Sequence, residues 1–164
     1  MPNIQLVPEC YAETAMVREL FANQDYLNHA EGISRVNYIL EQEDIANYCN
    51  VGFVDNDKKN TPRYFDEFNE IERSGNVIFK QHPQSNDYLI IVNPAIERFL
   101  LEQLQHINKT PVDFDLPDDF KGFRKKLKSN RIESNEGYIK MIRELITKKA
   151  PGIVFIMEKV NSLR

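Results

Sequence analysis

Cysteine is scarce in this chain: Cys10 and Cys49 are the two thiols in 164 residues. They have no metal-type spacing, which argues against a zinc site and against a disulfide-stapled secreted scaffold, and they fit a reducing compartment. Long apolar runs are missing. None approaches the roughly 20 residues of a membrane helix, and the opening MPNIQLVPE lacks the basic start and apolar stretch of a signal peptide. The expectation is a cytoplasmic chain with no membrane segment. Positive charge is not in excess either. A net charge of −4 and a pI near 5.5 exclude a chain that coats nucleic acid by bulk charge and confine any such contact to a local patch. There is no internal repeat and no low-complexity tract. What is present is 41% hydrophobic residues, enough for one core.

The apolar pattern alternates between strand and helix signals. Ile4-Gln5-Leu6-Val7, stopped by Pro8, reads as a first strand that delivers Glu9 at its carboxyl end. Ala12, Met16, Val17, Leu20 and Phe21 then recur at helical spacing, with Glu13 in the first turn where a carboxylate suits the helix dipole. After a break at residues 28–32, residues 33–48 read as a second amphipathic helix that leads into the strand Val51-Gly52-Phe53-Val54. No clear strand shows between the first helix and residue 51. Residues 63–74 carry Tyr64, Phe65, Phe68 and Ile71 at helical spacing and end on Ser74-Gly75-Asn76 in the manner of a helix C-terminus. Strands at Val77–Lys80 and Tyr88–Val92 follow, and Pro94 opens the helix AIERFLLEQLQ. Beyond the acidic 112–119 linker the chain reads as helical throughout. The fold expected is therefore α/β, a mostly parallel sheet flanked by helices and Rossmann-like in kind, with a C-terminal helical extension over residues 111–164 packed on the same domain as residues 1–110.

In such sheets functional residues gather outside the carboxyl ends of the strands, where Glu9 and Asp55 fall. If the first strand and the Val51 strand are neighbours, Glu9, Asp55 and Asp57 converge, and carboxylates that close repel unless protons or a cation intervene. A hard divalent ion, Mg²⁺ or Mn²⁺, solves this and serves phosphoryl transfer. The next acid, Glu13, lies one helical turn from Glu9 and is a further candidate metal ligand. Taken alone, Asp55-Asn56-Asp57 also fits a turn whose side chains bond the backbone. Glu9 tips the balance toward a metal site.

Glu9-Cys10-Tyr11-Ala12-Glu13 resembles the E-G-x-T-E element of Toprim domains, and Asp55-Asn56-Asp57 resembles their DxD, especially as found in OLD-type nucleases. The resemblance covers the first two thirds of the chain, and Cys10 stands where the family carries glycine. It implies metal-ligand roles for Glu9, Asp55 and Asp57 and Mg²⁺-dependent phosphodiester chemistry on nucleic acid or nucleotides. Asn93-Pro94-Ala95-Ile96-Glu97 and the residues after it are similar to a helix start in small Toprim-like proteins, which implies that Glu97 is a further acidic ligand or a water-positioning base. The alternative is a non-catalytic, Toprim-derived binding subunit of a defence or mobile-element complex. A receiver-like signalling domain is the weakest of the readings, because residues 8–10 and 92–94 do not provide its acidic pair and its Lys-Pro.

Other polar residues fall into place around that expectation. Lys80 and His82, at or just past the end of the Val77 strand, are expected on the same rim as the acids, to contact a phosphate or protonate a leaving group. Lys58 is a weaker phosphate-binding candidate, and His29 reads as a loop histidine with ordinary hydrogen bonds. The basic run Lys121, Arg124, Lys125, Lys126, Lys128 and Arg131 is either a solvated helix face or a track for a nucleic-acid backbone.

Overall fold

Every second residue of the first strand has a different destination. In β1 (Asn3–Pro8), Ile4 and Leu6 join one apolar cluster while Val7 joins another on the opposite side. The same split recurs in β3 (Tyr48–Asp55), where Cys49, Val51 and Phe53 oppose Val54, and in β6 (Asp87–Val92), where Ile90 and Val92 oppose Leu89 and Ile91. Strands buried on both faces belong to a sheet covered on both sides, which is the environment of parallel strands. The computed structural model, which describes residues 3–22, 26–42, 48–56 and 59–164, has that arrangement.

Six strands form one sheet in the order β2-β1-β3-β6-β5-β4, counting β2 (Tyr26–Leu27), β4 (Asn69–Ser74) and β5 (Val77–Gln81). β2, β1, β3 and β6 run parallel, β5 is antiparallel to β6, and β4 is antiparallel to β5 and so points the same way as the parallel four. One face is covered by α1 (Tyr11–Leu20), α3 (Ile96–His106), α4 (Phe120–Leu127), α5 (Glu136–Thr147) and α6 (Pro151–Asn161). The other face is covered by α2 (Ile33–Gln42) with Phe65 and Phe68. A Cβ on Gly52 would sit 2.9 Å from Leu89 Cδ2 and 3.0 Å from Val36 Cγ1, so the glycine lets α2 lie close against the sheet.

The C-terminal third is tied to the body by specific bonds as well as by packing. Tyr138 of α5 is fully buried and its hydroxyl donates to the Ala12 carbonyl of α1 at 2.6 Å. Arg143 pairs with Glu19 at 2.8 Å between the same two helices, and Arg98 of α3 lies 3.8 Å over the Phe120 ring of α4.

The structure corrects the expected elements in three places. Residues 63–74 are not one helix: a 3-10 turn spans Arg63–Glu67, and Asn69–Ser74 is β4. Ser74-Gly75-Asn76 is a hairpin turn, with Gly75 at φ 55° and Ser74 registered on Val77, so β pairing with β5 overrides the helical spacing. Tyr48, expected at the end of a helix, opens β3. A strand does lie between α1 and residue 51, but β2 is two residues long and carries too little pattern to be read. β4 is a charged edge strand with a register shift between Glu70 and Glu72, and Lys159 of α6 pairs with Glu72, features that blunt an open edge.

Candidate active site

Parallel β1, β3 and β6 end together, and the register places Pro8 beside Phe53 and Asp55 beside Val92. Glu9 and Asp55 therefore emerge at one rim from neighbouring strands. Glu9 Oε2 accepts from the Asp55 amide at 3.2 Å, while the Glu9 amide donates to the Phe53 carbonyl at 3.0 Å. Asp55 Oδ1 accepts from the Ile96 amide at 2.8 Å, so a β3 carboxylate caps the first turn of α3. The Asn56 amide completes the junction by donating to the carbonyls of Val92 and Pro94. Asp57 and Lys58, the remainder of the expected DxD and its first lysine, lie outside the described residues.

Glu13 has a different job from the one expected of a ligand. It is buried at 1% exposure, and its Oε2 accepts from the amides of Glu9 at 2.9 Å and Cys10 at 3.2 Å, closing the start of α1. Burial pushes its carboxyl well above the ordinary range, and repulsion from Asp55 and Glu9 adds to the shift. Cys10 sits at φ −130° and ψ 171°, an extended conformation open to any residue, so cysteine in place of the family's glycine brings no backbone strain. Burial, reinforced by Glu13, pushes the Cys10 thiol far up, which leaves it a poor nucleophile.

The space between these parts is a cavity of about 270 Å³, lined by Glu9, Cys10, Tyr11, Asp55, Glu97, Leu127 and Lys128 among others. The first turns of α1 and α3 both border it, and amides at such positions have no partner within their own helix, which suits an anion. Glu97 is buried at 4% exposure, and its Oε1 is 3.6 Å from Nε of Arg124 on α4. Glu9, Asp55 and Glu97 are thus brought to one cavity. Among the described residues no group of three or more His, Cys, Asp and Glu side chains is arranged to hold a metal ion.

Lys80 and His82 are not on this rim. β5 runs antiparallel to β6, with Val77 beside Val92 and Gln81 beside Tyr88, so the chain has crossed to the far end of the sheet by residue 82. His82 is buried there, stacked on Tyr64 at 4.8 Å and edge-on to Phe68. Its Nδ1 accepts from the Gln84 amide, so Nε2 carries the proton and donates to Glu67 at 3.2 Å. Beside it, buried Asp87 accepts from Tyr64, Ser85 and Asn50, a polar cluster that strand alternation does not reveal. Lys80 is registered on Leu89 and Glu70, in mid-sheet.

His29 lies near the acid rim on the β1 side. The Thr14 hydroxyl donates to the Cys10 carbonyl at 2.8 Å, so the 2.6 Å contact between Thr14 Oγ1 and His29 Nδ1 has the ring donating. The ring stacks on Tyr11 at 4.7 Å, and no other described residue hydrogen-bonds its buried Nε2. What the sequence concealed most completely is the contribution of α4. Leu127 and Lys128 wall the cavity and Arg124 pairs with Glu97, a placement whose only signal was the basic run itself. Among the described residues, no helix is long and apolar enough to cross a membrane. No family model, curated protein or solved structure matches the chain.

Proposed function

We propose that the chain is a Toprim-like enzyme of divalent-metal-dependent phosphodiester chemistry, acting on nucleic acid or nucleotides. One observation carries it: Glu9 and Asp55 leave adjacent parallel strands, bonded to each other through the Asp55 amide, and line a cavity that two helix N-termini also border. Mg²⁺ and Mn²⁺ fit this donor set, because such ions take one or two carboxylates and keep several waters rather than needing an all-protein cage. When bound, the ion would polarise a phosphate oxygen and make a bound water more acidic. Glu9 and Asp55 would hold it, with Asp57 as the further ligand implied by the family resemblance.

The remaining residues supply binding and proton handling. First-turn amides of α1 and α3 other than that of Ile96, which Asp55 holds, would receive phosphate oxygens. Glu97, which lines the same cavity as Glu9 and Asp55, would orient a water and accept its proton. Tyr11 and Leu127 restrict the water around it. The volume, just below that of ordinary small-molecule sites, suits a phosphate with its sugar better than a whole nucleotide.

The alternative is the non-catalytic binding subunit, for which Cys10 at the position of the resembled element's glycine is the relevant feature. A single experiment separates the two. Purified protein is incubated with plasmid, single-stranded DNA and bis(p-nitrophenyl) phosphate in Mg²⁺ or Mn²⁺, beside Asp55→Asn and a chelator control. Product that requires metal and disappears in the variant is expected. No product from any substrate, together with no calorimetric heat of Mn²⁺ binding, would leave the binding subunit as the function.

A further inference from the structure

Four of the cations on and just beyond α4 follow an i, i+3, i+4, i+7 pattern: Lys121, Arg124, Lys125 and Lys128. At about 100° per residue this places them within roughly a 100° arc, and over about 10 Å of helix rise. All four are exposed, whereas Phe123 and Leu127 on the other side are buried in the body of the protein. The stripe has a direction, because Lys128 at its far end is also part of the wall of the cavity that holds Glu9 and Asp55. Arg124, partway along, reaches Glu97 in the same cavity.

We infer that this stripe of α4 docks the sugar–phosphate backbone of a single-stranded nucleic acid and leads one phosphate into the acid cavity. The inference rests on the proposed chemistry and names its substrate as a polymer rather than a free nucleotide. Charge complementarity is the first reason: the chain as a whole is acidic, yet this face presents four aligned cations, and it does so at the mouth of the acidic site. Geometry is the second. A recognition helix must project to enter a major groove about 12 Å wide, but α4 is eight residues long and is pressed against the body through Phe123 and Leu127. It can track a backbone and cannot insert into a groove. The cavity, at roughly 270 Å³, admits the phosphate and sugar of one strand at a time.

Contact along the stripe is electrostatic. The large apolar side chains exposed among the described residues, Tyr26, Tyr38, Ile71 and Val112, do not lie on α4, so the stripe itself offers no platform for stacked bases. Binding should therefore tolerate any sequence and weaken steeply with salt. At the mouth, Arg124 exchanges its Glu97 partner for a phosphate oxygen, a change a guanidinium makes readily because it bonds either oxyanion in the same planar geometry.

The test is fluorescence anisotropy of a labelled oligothymidylate with the full chain in a chelating buffer across about 50 to 200 mM salt, using wild type, Lys121→Ala/Lys125→Ala and Lys125→Glu. Each cation that contacts a phosphate contributes about 0.7 to the log–log salt slope on a single strand, so the double variant should be shallower by about 1.4 and bind at least about tenfold more weakly at low salt. The charge reversal at Lys125 should likewise weaken binding and flatten the salt slope relative to wild type. Wild-type affinity and slope in both variants, or no binding by the wild type, overturns the inference. Duplex DNA bound more tightly with the same lysine dependence overturns its single-strand part, and displacement by equimolar thymidine monophosphate overturns its polymer part. With metal chelated, the measurement stands even if no phosphodiester is ever cleaved.

Discussion

Asp55 and Ile96 lie 41 positions apart, and the carboxylate of the first accepts the amide of the second at 2.8 Å, joining the end of β3 to the start of α3. The residue that the family resemblance marks as a metal ligand therefore also holds a helix in place. These two duties separate under substitution. Asparagine retains an oxygen for the Ile96 amide, so Asp55→Asn should melt close to wild type, whereas Asp55→Ala should lose about 1 kcal/mol with the cap. Mn²⁺ should raise the wild-type melting temperature, by about 2.7 kcal/mol of stability at a hundredfold excess over Kd, and should not raise that of either variant. Thermal melts with and without metal decide this. An unchanged metal response in Asp55→Asn would move the ion elsewhere.

Glu13 sets a pH dependence whose sign is fixed by its burial. Its folded carboxyl titrates well above the ordinary value of 4.5 because burial penalises the charge, with Asp55 and Glu9 repelling it further. Between those two values the folded chain holds a proton that the unfolded chain has released, so this contribution is complete below the unfolded value and fades as pH rises toward the folded one. Glutamine keeps the oxygen that accepts the Glu9 and Cys10 amides and cannot ionise. In chelator, the stability of Glu13→Gln relative to wild type should climb with pH above 4.5, at up to about 1.36 kcal/mol per pH unit. Urea denaturation at a series of pH values measures the slope, and a flat difference would mean that Glu13 is ionised in the folded protein.

Glu97 can be separated from its helix in the same way. It lies in the first turn of α3, where a carboxylate favours the dipole by a few tenths to about 1 kcal/mol, and it also faces the cavity. Glu97→Gln should cost no more than that in stability while lowering metal-dependent turnover by about 10² to 10⁴. Turnover within a factor of a few of wild type, on a substrate that Asp55→Asn fails to cleave, would return Glu97 to the helix alone.

At the opposite end of the sheet the expected outcome is reversed. His82→Ala removes a ring packed on Tyr64 and Phe68 and a donor to Glu67, and should cost about 2 kcal/mol or more. Turnover of the folded variant, measured well below its melting temperature, should match wild type. A selective loss of turnover would show that the far rim communicates with the acids.

The sequence was readable wherever one periodicity ran long enough to name an element and its direction was set by the parallel pattern. β1, α1, β3, β6 and α3 met both conditions, so Glu9 and Asp55 were visible as strand-end carboxylates and Glu97 as a first-turn acid. Lys80 and His82 failed the second condition. A strand's apolar spacing is the same whichever way it points, and the hairpin at Gly75, read as a helix end, is what turned β5 around. Ile71 misled for a related reason: it completes a helical stripe in one dimension but stands half exposed on an edge strand in the fold. The pairing of Glu97 with Arg124 was beyond reach, because it depends on how Phe123 and Leu127 seat α4 and not on any local pattern.

The hydrogen bond from Tyr138 to the Ala12 carbonyl has a consequence for cooperativity. It anchors the first turn of α1, the wall behind Glu9 and Glu13, to a helix more than a hundred residues downstream. The rim and α5 are thereby parts of one unfolding unit, so that α1 cannot open its first turn without breaking a bond to the first turn of α5. An ion or phosphate that steadies the rim should slow amide exchange at the start of α5 as well as beside the acids, and α5 would report on occupancy of a site it does not line.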